Sequence, residues 1–533
     1  MSYTFFPTGK VETITSSNAS GVSVAYSYDD LNRLQTVTDN RLTGNQTTTY
    51  AYDSGVPVDR SSSTGWDDAS NVATVQIPNG LTSTFTYDSL NRLTELSTPP
   101  VADYRYTLGA TGIRTNATEQ SGRTLVWNYD NIYRLNGETV TGDPGNNNGT
   151  VDYTLDPVGN RTGTNSTFSS LSPGFGTYNA DDQVSNESYD PNGNTTRTAN
   201  GNTFTYDSEN HMTSMTGNGK VVTMKYDAFG NRVSKTVNGV TTLYLVEDDV
   251  NPTGYPQVLE EVQNGAAVRT YTYGLQRISE DQVINGAWTP SFYGYDGFGT
   301  VRQLTNSAGT VTDTYEYDAY GNFFTKTGTT PNNYLYRGEQ FDTDLGLYYL
   351  RARYYNPATG RFMSRDPKAG NRFDPASLHR YLYASGDPIN KIDPRGRADL
   401  LETGALTLRS VIAGTIILNT ISCGASLGFA YAVGMLFEES PNAGDYFFMS
   451  AGCLTMTFNP DTSKIPGAKT VVAPVLNWIG VAGCAWGMVE MLQAMQASLN
   501  DPDNVELEQK VDIATMSSLT GCVVPLIAVL IAP

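Results

Sequence analysis

Histidine, cysteine and positive charge are all scarce in this 533-residue chain, and each shortage narrows its function. With only His211 and His379 available, any histidine-dependent catalytic site must use one of the two, and histidine-based zinc centres are nearly excluded. All four cysteines, Cys423, Cys453, Cys484 and Cys522, lie in the last quarter, so the sequence before them is not a disulfide scaffold. No CxxC pair occurs, which argues against a zinc or redox site; no cofactor or metal is expected. Lys and Arg number 34 against 54 Asp and Glu, a formal charge of −20. Phosphate backbones are bound by clustered cations, so nucleic acid is disfavoured as a partner of the whole chain. The acidic excess suits a large β-surface that must stay soluble and resist edge-to-edge association. The opening residues Met1 to Lys10 lack a basic segment followed by an apolar run, so no secretory signal is read there.

Tyrosine and glycine are abundant instead, at 34 and 51 residues, while charged residues make up only 17%. Tyr and Thr favour strands, and Gly, Asn and Asp favour tight turns. A Tyr-Asp motif recurs at irregular spacing. Tyr28-Asp29-Asp30-Leu31-Asn32-Arg33-Leu34 returns as Tyr87-Asp88-Ser89-Leu90-Asn91-Arg92-Leu93 and as Tyr129-Asp130-Asn131-Ile132-Tyr133-Arg134-Leu135. A glycine form appears at Tyr226-Asp227-Ala228-Phe229-Gly230-Asn231 and Tyr317-Asp318-Ala319-Tyr320-Gly321-Asn322. Each unit reads as a strand, an Asp that bonds the turn backbone, a Gly or Asn at positive φ, and a return strand. One hairpin cannot bury its apolar face alone, so the units are expected to stack, with their Tyr rings in a ladder along the sheet. Hairpin chemistry accounts for the Asp and the Gly or Asn, but not for the aligned Arg and Leu. Gly217-Asn218-Gly219-Lys220-Val221 mimics the end of a phosphate loop, yet Val221 stands where Ser or Thr is needed, so it is read as a turn.

These repeats resemble the YD repeats of RHS proteins, teneurins and the C components of insecticidal toxin complexes. Residues 334 to 397 add a more specific likeness. The run Gly346-Leu347-Tyr348-Tyr349-Leu350-Arg351-Ala352-Arg353-Tyr354-Tyr355, followed by Asn356-Pro357-Ala358-Thr359-Gly360-Arg361-Phe362-Met363-Ser364-Arg365-Asp366-Pro367, looks like the RHS repeat-associated core domain. The resemblance implies a mostly β fold: YD-repeat β-hairpins over 1–333 forming a spiralling shell, a core domain over 334–397, and a variable cargo over 398–533. It further implies that a second YD-repeat chain or a preceding half completes the shell, that an immunity protein accompanies a toxic cargo, and that the protein is secreted or held in the bacterial cell envelope.

In that family the core domain resembles an aspartyl protease that cuts itself once, after a final Asp-Pro-x-Gly. The matching positions are Arg365-Asp366-Pro367 and Asp393-Pro394-Arg395-Gly396, with Asp374 at a further acidic position. Asp366 and Asp393 are the expected carboxylate pair, Arg365 their charge-balancing neighbour, and Arg397-Ala398 the bond cut. Adjacent carboxylates cannot easily both ionise, which leaves one to activate water and one to polarise the carbonyl. Two positions depart from the pattern. Gly370 falls one place late, and Arg397 replaces an apolar residue before the bond, so it must be buried or find a carboxylate. Arg337, Arg351, Arg353, Arg361 and Arg365 form a basic cluster in an acidic chain; pairing with local carboxylates or stacking on Tyr faces is the simpler reading, support of the catalytic carboxylates the other.

After residue 397 the composition changes to Ala, Gly, Ile, Leu, Val and Met. The uncharged stretches 411–437, 470–489 and 516–533 approach the length of membrane-spanning helices and are rich in small residues. A C-terminal α-helical hydrophobic domain is therefore expected. It serves either as a membrane-active effector or as the membrane anchor of a surface adhesion module.

Overall fold

The computed structural model describes residues 1–401, apart from 42–45, 54–70, 169–170, 172–175, 249, 369, 371–374 and 398–399. The expected C-terminal helical domain, with its candidate spans 411–437, 470–489 and 516–533, lies outside the described residues. Among the described residues, no helix is long and apolar enough to cross a membrane.

The described chain is almost wholly antiparallel β. A 14-stranded meander runs from Ser2–Phe5 to Arg161–Ser166, each strand bonded to the next in sequence. A second 14-stranded meander runs from Ser188–Tyr189 to Phe323–Thr327. A 4-stranded sheet then spans Gln340–Asp342 to Arg361–Phe362. Alternation sets which face is buried. In Ala102–Leu108, Ala102, Tyr104 and Tyr106 are buried while Arg105 and Thr107 are exposed.

One turn geometry repeats. The Asp29 N–H donates to the Arg33 carbonyl and the Asn32 N–H to the Asp29 carbonyl, and the register shifts by one at Tyr28. This is a three-residue loop closed by a bulge, which requires positive φ at its last position. That position, three residues after Asp, holds Asn32 (φ 58°), Asn91 (φ 60°), Tyr133 (φ 65°), Gly230 (φ 80°) and Gly321 (φ 92°). The Asp side chain completes the turn: Asp88 Oδ1 accepts the Leu90 and Arg92 N–H groups, and Oδ2 accepts Arg92 Nε at 2.7 Å. Arg33 and Arg134 repeat that 2.7 Å bond to Asp29 and Asp130. Asn231 and Asn322 place an amide in the same role. The aligned Arg thus closes the turn, and the aligned Leu34, Leu93 and Leu135 are 0–3% exposed core residues.

The tyrosines link units in a way the expected ring ladder did not anticipate. Tyr52, Tyr87, Tyr129, Tyr206 and Tyr226 each donate their hydroxyl to a backbone carbonyl just after the preceding turn, on Leu34, Val72, Arg114, Thr195 and Met212. A buried hydroxyl needs a partner, and a carbonyl at a bulge is free to accept one. Some rings contact the previous unit's Arg or His instead of another Tyr, as Arg33 lies over Tyr52 at 4.3 Å and His211 stacks on Tyr226 at 4.8 Å. At the phosphate-loop mimic, Asn218 and Gly219 both take positive φ between Met212–Gly217 and Lys220–Tyr226, a two-residue hairpin turn as read from sequence.

The second meander lies against the first in the same order. Asn18 bonds Glu260, Arg41 pairs with Asp281, Asn79 bonds Thr305, Glu119 pairs with Arg302, and Glu138 accepts the Ala319 N–H. The earliest pair is early in both meanders and the last pair late in both, with Asn79 and Glu119 reaching the same strand Val301–Thr305, as when a sheet winds back over its own start. The 4-stranded sheet contributes to two buried clusters. Tyr348, Leu350, Tyr355 and Phe362 join the core shared by both meanders. Leu347, Tyr349, Tyr354 and Met363 pack on Met212, Met215 and Met224.

Candidate functional site

The candidate site is built on the 4-stranded sheet. Leu347–Leu350 turns back at residues 351–352 and pairs with Arg353–Asn356, which pairs in turn with Arg361–Phe362. The chain then reaches Asp366, whose N–H donates to the Arg380 carbonyl at 2.9 Å. Asp393 follows the short strand Lys391–Ile392.

Arg353 joins the two acids. Its Nη2 lies 2.8 Å from Asp366 Oδ2 and 3.2 Å from Asp393 Oδ2. The two carboxylate oxygens are therefore no farther apart than the sum of those distances, 6.0 Å. Arg353 Nη1 donates to the Arg380 carbonyl at 3.1 Å, and Nε donates to the Gly396 carbonyl. The guanidinium also stacks on Phe362, 3.6 Å from the ring centroid. A planar fork presents its donors in fixed directions and so can serve several acceptors at once in one set geometry. Asp393 is buried and Asp366 partly so. Burial pushes the Asp366 carboxyl above the usual range, opposed by the Arg353 charge, the Lys368 N–H and the charges of Arg380 and Lys368.

The peptide ahead of the expected scissile bond is held at both ends. Asp393 Oδ1 accepts the Arg397 N–H at 2.9 Å, and Arg353 takes the Gly396 carbonyl. Gly396 has φ 66°, and a Cβ there would sit 2.6 Å from the Leu350 carbonyl oxygen. Only glycine lets this segment lie so close to the strand backbone. Ala352 N–H to the Arg395 carbonyl and Arg351 to the Pro394 carbonyl complete the seam.

Asp366 and Asp393 are thus brought together, while other candidates are placed differently. Arg365 is exposed and its stem lies against Gly193; the cation on the pair is Arg353. Arg353 was visible in the basic cluster, but its hydrogen-bond and ion-pair partners lie 13 to 43 residues away and carry no local signal. Asp374 and Ala398 lie outside the described residues. Arg397 is not buried: its side chain is exposed, and its N–H donates to Asp393. The displaced Gly370 packs where a Cβ would collide with the Ser377 carbonyl, so glycine is required there too. Of the other arginines, Arg351 pairs with Glu339 at 2.9 Å, Arg361 lies over Tyr178 and Tyr381, and Arg337 donates to the Phe298 carbonyl at 2.6 Å. Among the described residues, no group of three His, Cys, Asp or Glu side chains could hold a metal ion.

Bulged hairpins chained by tyrosine hydroxyls and closed by Asp-Arg or Asp-Asn turns define the class: a YD-repeat β-sheet protein. Residues 132–389 match the family model described as teneurin YD-shell, and residues 66–99 match that of the RHS repeat. Residues 66–99 and 132–389 thus carry the RHS/YD repeat. The tRNA nuclease WapA of Bacillus subtilis is 35% identical over 260 residues, covering 46% of this chain and 11% of that protein. Salivary gland surface protein 1 of Aedes aegypti is 30% identical over 200 residues, covering 35% of this chain and 5% of that protein. The chain therefore spans only a small part of the length of these curated relatives. Among solved structures, the TcdB2-TccC3 complex aligns with a TM-score of 0.59 and 18% identity, over 74% of this chain and 22% of that one. The Tc holotoxin pore of Photorhabdus luminescens aligns with a TM-score of 0.60 and 17% identity, over 76% and 22%. At that identity the likeness is one of fold.

Proposed function

We propose that this chain is a shell protein that carries the segment 398–533 as cargo and severs it from the core domain 334–397 by one aspartyl self-cleavage. The observation that carries this reading is the Asp366–Asp393 pair meeting on one guanidinium nitrogen beside the clamped Gly396–Arg397 peptide. In the proposed step one carboxylate takes a proton from water as its oxygen bonds to the Arg397 carbonyl carbon. The C–N bond to Ala398 then breaks, and the other carboxyl gives its proton to the departing nitrogen. The products are a carboxyl-terminal Arg397 and an amino-terminal Ala398. Arg365 and Asp374 are auxiliary candidates in this scheme.

The cargo is read as a membrane-active effector acting through 411–437, 470–489 and 516–533, with an immunity protein protecting the producer. A second YD-repeat chain or further repeats would complete the shell. The chain would work outside the cell or in its envelope. The RHS/YD-repeat likeness supports this setting: similar proteins include a tRNA nuclease and a surface protein, and the fold recurs in a Tc holotoxin pore.

Expression of the full chain with Asp393→Asn or Asp366→Asn tests the cleavage. Wild type is expected to run as two bands on a denaturing gel and each variant as one. A single wild-type band at full length rejects it. Expression of 398–533 alone tests the cargo: growth arrest with membrane depolarisation supports an effector, and harmless membrane insertion supports an anchored surface module instead.

A further inference from the structure

We propose that His379 is an acid-sensitive clasp: held neutral, it fastens residues 379–383 to the end of the first meander, and protonation releases that segment. The inference is independent of self-cleavage and concerns how this junction of the fold opens.

The clasp sits where three parts of the fold meet. The turn between Gly149–Leu155 and Arg161–Ser166 supplies Asn160, the loop ahead of the second meander supplies Asp182, and the strand Arg361–Phe362 supplies Arg361. His379 is 7% exposed among them. Its Nδ1 accepts the Tyr381 and Leu382 N–H groups at 3.2 and 3.1 Å, so that nitrogen carries no proton. Nε2 carries the proton instead and donates it to Asn160 Oδ1 at 2.8 Å. The segment fastened in this way makes further bonds. The Phe362 N–H donates to the Tyr381 carbonyl at 2.9 Å, and the Tyr381 hydroxyl donates to the Gly193 carbonyl at 2.8 Å.

A second proton on the ring is incompatible with this arrangement. It would sit on Nδ1, facing two N–H donors, and both bonds would be lost. It would also set a positive charge beside Arg361, whose Nη1 is 3.5 Å from Nε2. Arg361 is itself tied down: Nη1 donates to Asn160 Oδ1 at 2.6 Å, Nη2 donates to the Asp182 carbonyl, and the rings of Tyr178 and Tyr381 face the guanidinium. Asp156 and Asp182 favour a charged ring, but Asn160 Nδ2 donates to both carboxylates, at 3.0 and 2.8 Å. Arg380 donates to the Lys368 carbonyl, and Arg365 and Asp181 act on Tyr381. Burial, followed by the Arg361 charge, lowers the ring to about 4 from an ordinary 6.5. The clasp is therefore closed above pH 6.5 and weakens as pH falls towards 4.

The test follows the full chain from pH 7.5 to 4.5 by amide hydrogen exchange, corrected for its intrinsic pH dependence, and by NMR of 13C-labelled histidine. Only His379 and His211 give ring signals. The wild type is expected to lose protection over residues 379–383 by about 20-fold between pH 7 and pH 5, while Ala102–Leu108 stays protected. His379→Asn offers an oxygen that accepts the same two N–H groups without titrating, so its protection is expected to hold across the range. Arg361→Gln removes the repelling charge and is expected to flatten the dependence. Equal pH dependence in wild type and His379→Asn overturns the inference, as does unfolding of the whole chain at the same pH in both. Where His379→Asn does not fold, the wild-type ring signal decides. A His379 ring that titrates in step with the loss of protection supports the clasp, and one that titrates near 6.5 while the segment stays protected overturns it.

Discussion

At the residue scale, the repeat is a set of hydrogen-bond assignments attached to five positions. Tyr donates across to the preceding unit, Asp closes the turn, a third residue takes positive φ, Arg, Asn or His answers the Asp, and Leu fills the core. The Asp and the positive-φ residue were legible in sequence because both act within one turn. The Tyr hydroxyl was not, because its acceptor lies 11 to 18 residues away in the preceding unit. One residue fits its position poorly. Tyr133 adopts φ 65° where its counterparts are Asn or Gly, and its side chain is 48% exposed. A bulky residue there is strained with little packing to offset it. Tyr133→Asn should therefore stabilise the local hairpin by about 1 kcal/mol, read as slower amide hydrogen exchange over residues 129–135. Unchanged or faster exchange would show that the ring earns its place through contacts elsewhere.

At the element scale, the seam between the two meanders is built from buried polar pairs that the period-2 pattern cannot foretell. Each strand announces which face is buried, but not which strand of the other sheet lies on it. Glu138 is 1% exposed and accepts Trp127 Nε1 at 3.3 Å and the Ala319 N–H at 2.9 Å. Burial, aided by the nearby Asp318 carboxylate and opposed by Arg123, pushes its carboxyl up to about 7 from an ordinary 4.5. The folded state thus binds a proton more tightly than the unfolded chain, and stability from Glu138 grows as pH falls from 7 towards 4.5 and is lost as pH rises through 7. His379 works the other way. It is buried against Arg361 and Asn160, and burial followed by the Arg361 charge lowers it to about 4 from 6.5. Its contribution is present above pH 6.5 and lost as pH falls towards 4. The two effects oppose one another between pH 4.5 and 6.5. Glu138→Gln should remove the first, so the variant gains less stability than wild type on acidification from pH 7 to 4.5, while Glu280, pushed up to about 7, and Asp281 and Asp318, pushed up to about 6, still act in the same sense. The slope for one group is at most about 1.4 kcal/mol per pH unit, and thermal unfolding midpoints across pH 4 to 8 measure it. A variant with the wild-type profile would show that Glu138 does not titrate in the folded seam.

At the scale of the molecule, the order of the parts follows from the same physics. Stacked hairpins make the sheets, the sheets bury a short aromatic sheet, and that sheet holds two acids, one arginine and the peptide leading to residue 398. Asp366 and Asp393 were legible only through the likeness to the family's core domain, since Asp-Pro also occurs at Asp143, Asp156, Asp374, Asp387 and Asp501, and Arg353 showed only as one member of a basic cluster, since its partners lie on separate segments brought together by folding. The most direct test of a severed and retained cargo is to purify the full chain through its N-terminal part and compare its state in native buffer and in denaturant. The account predicts that fragments ending at Arg397 and beginning at Ala398 travel together in native size-exclusion chromatography and separate only when denatured. A single intact polypeptide in denaturant would contradict it.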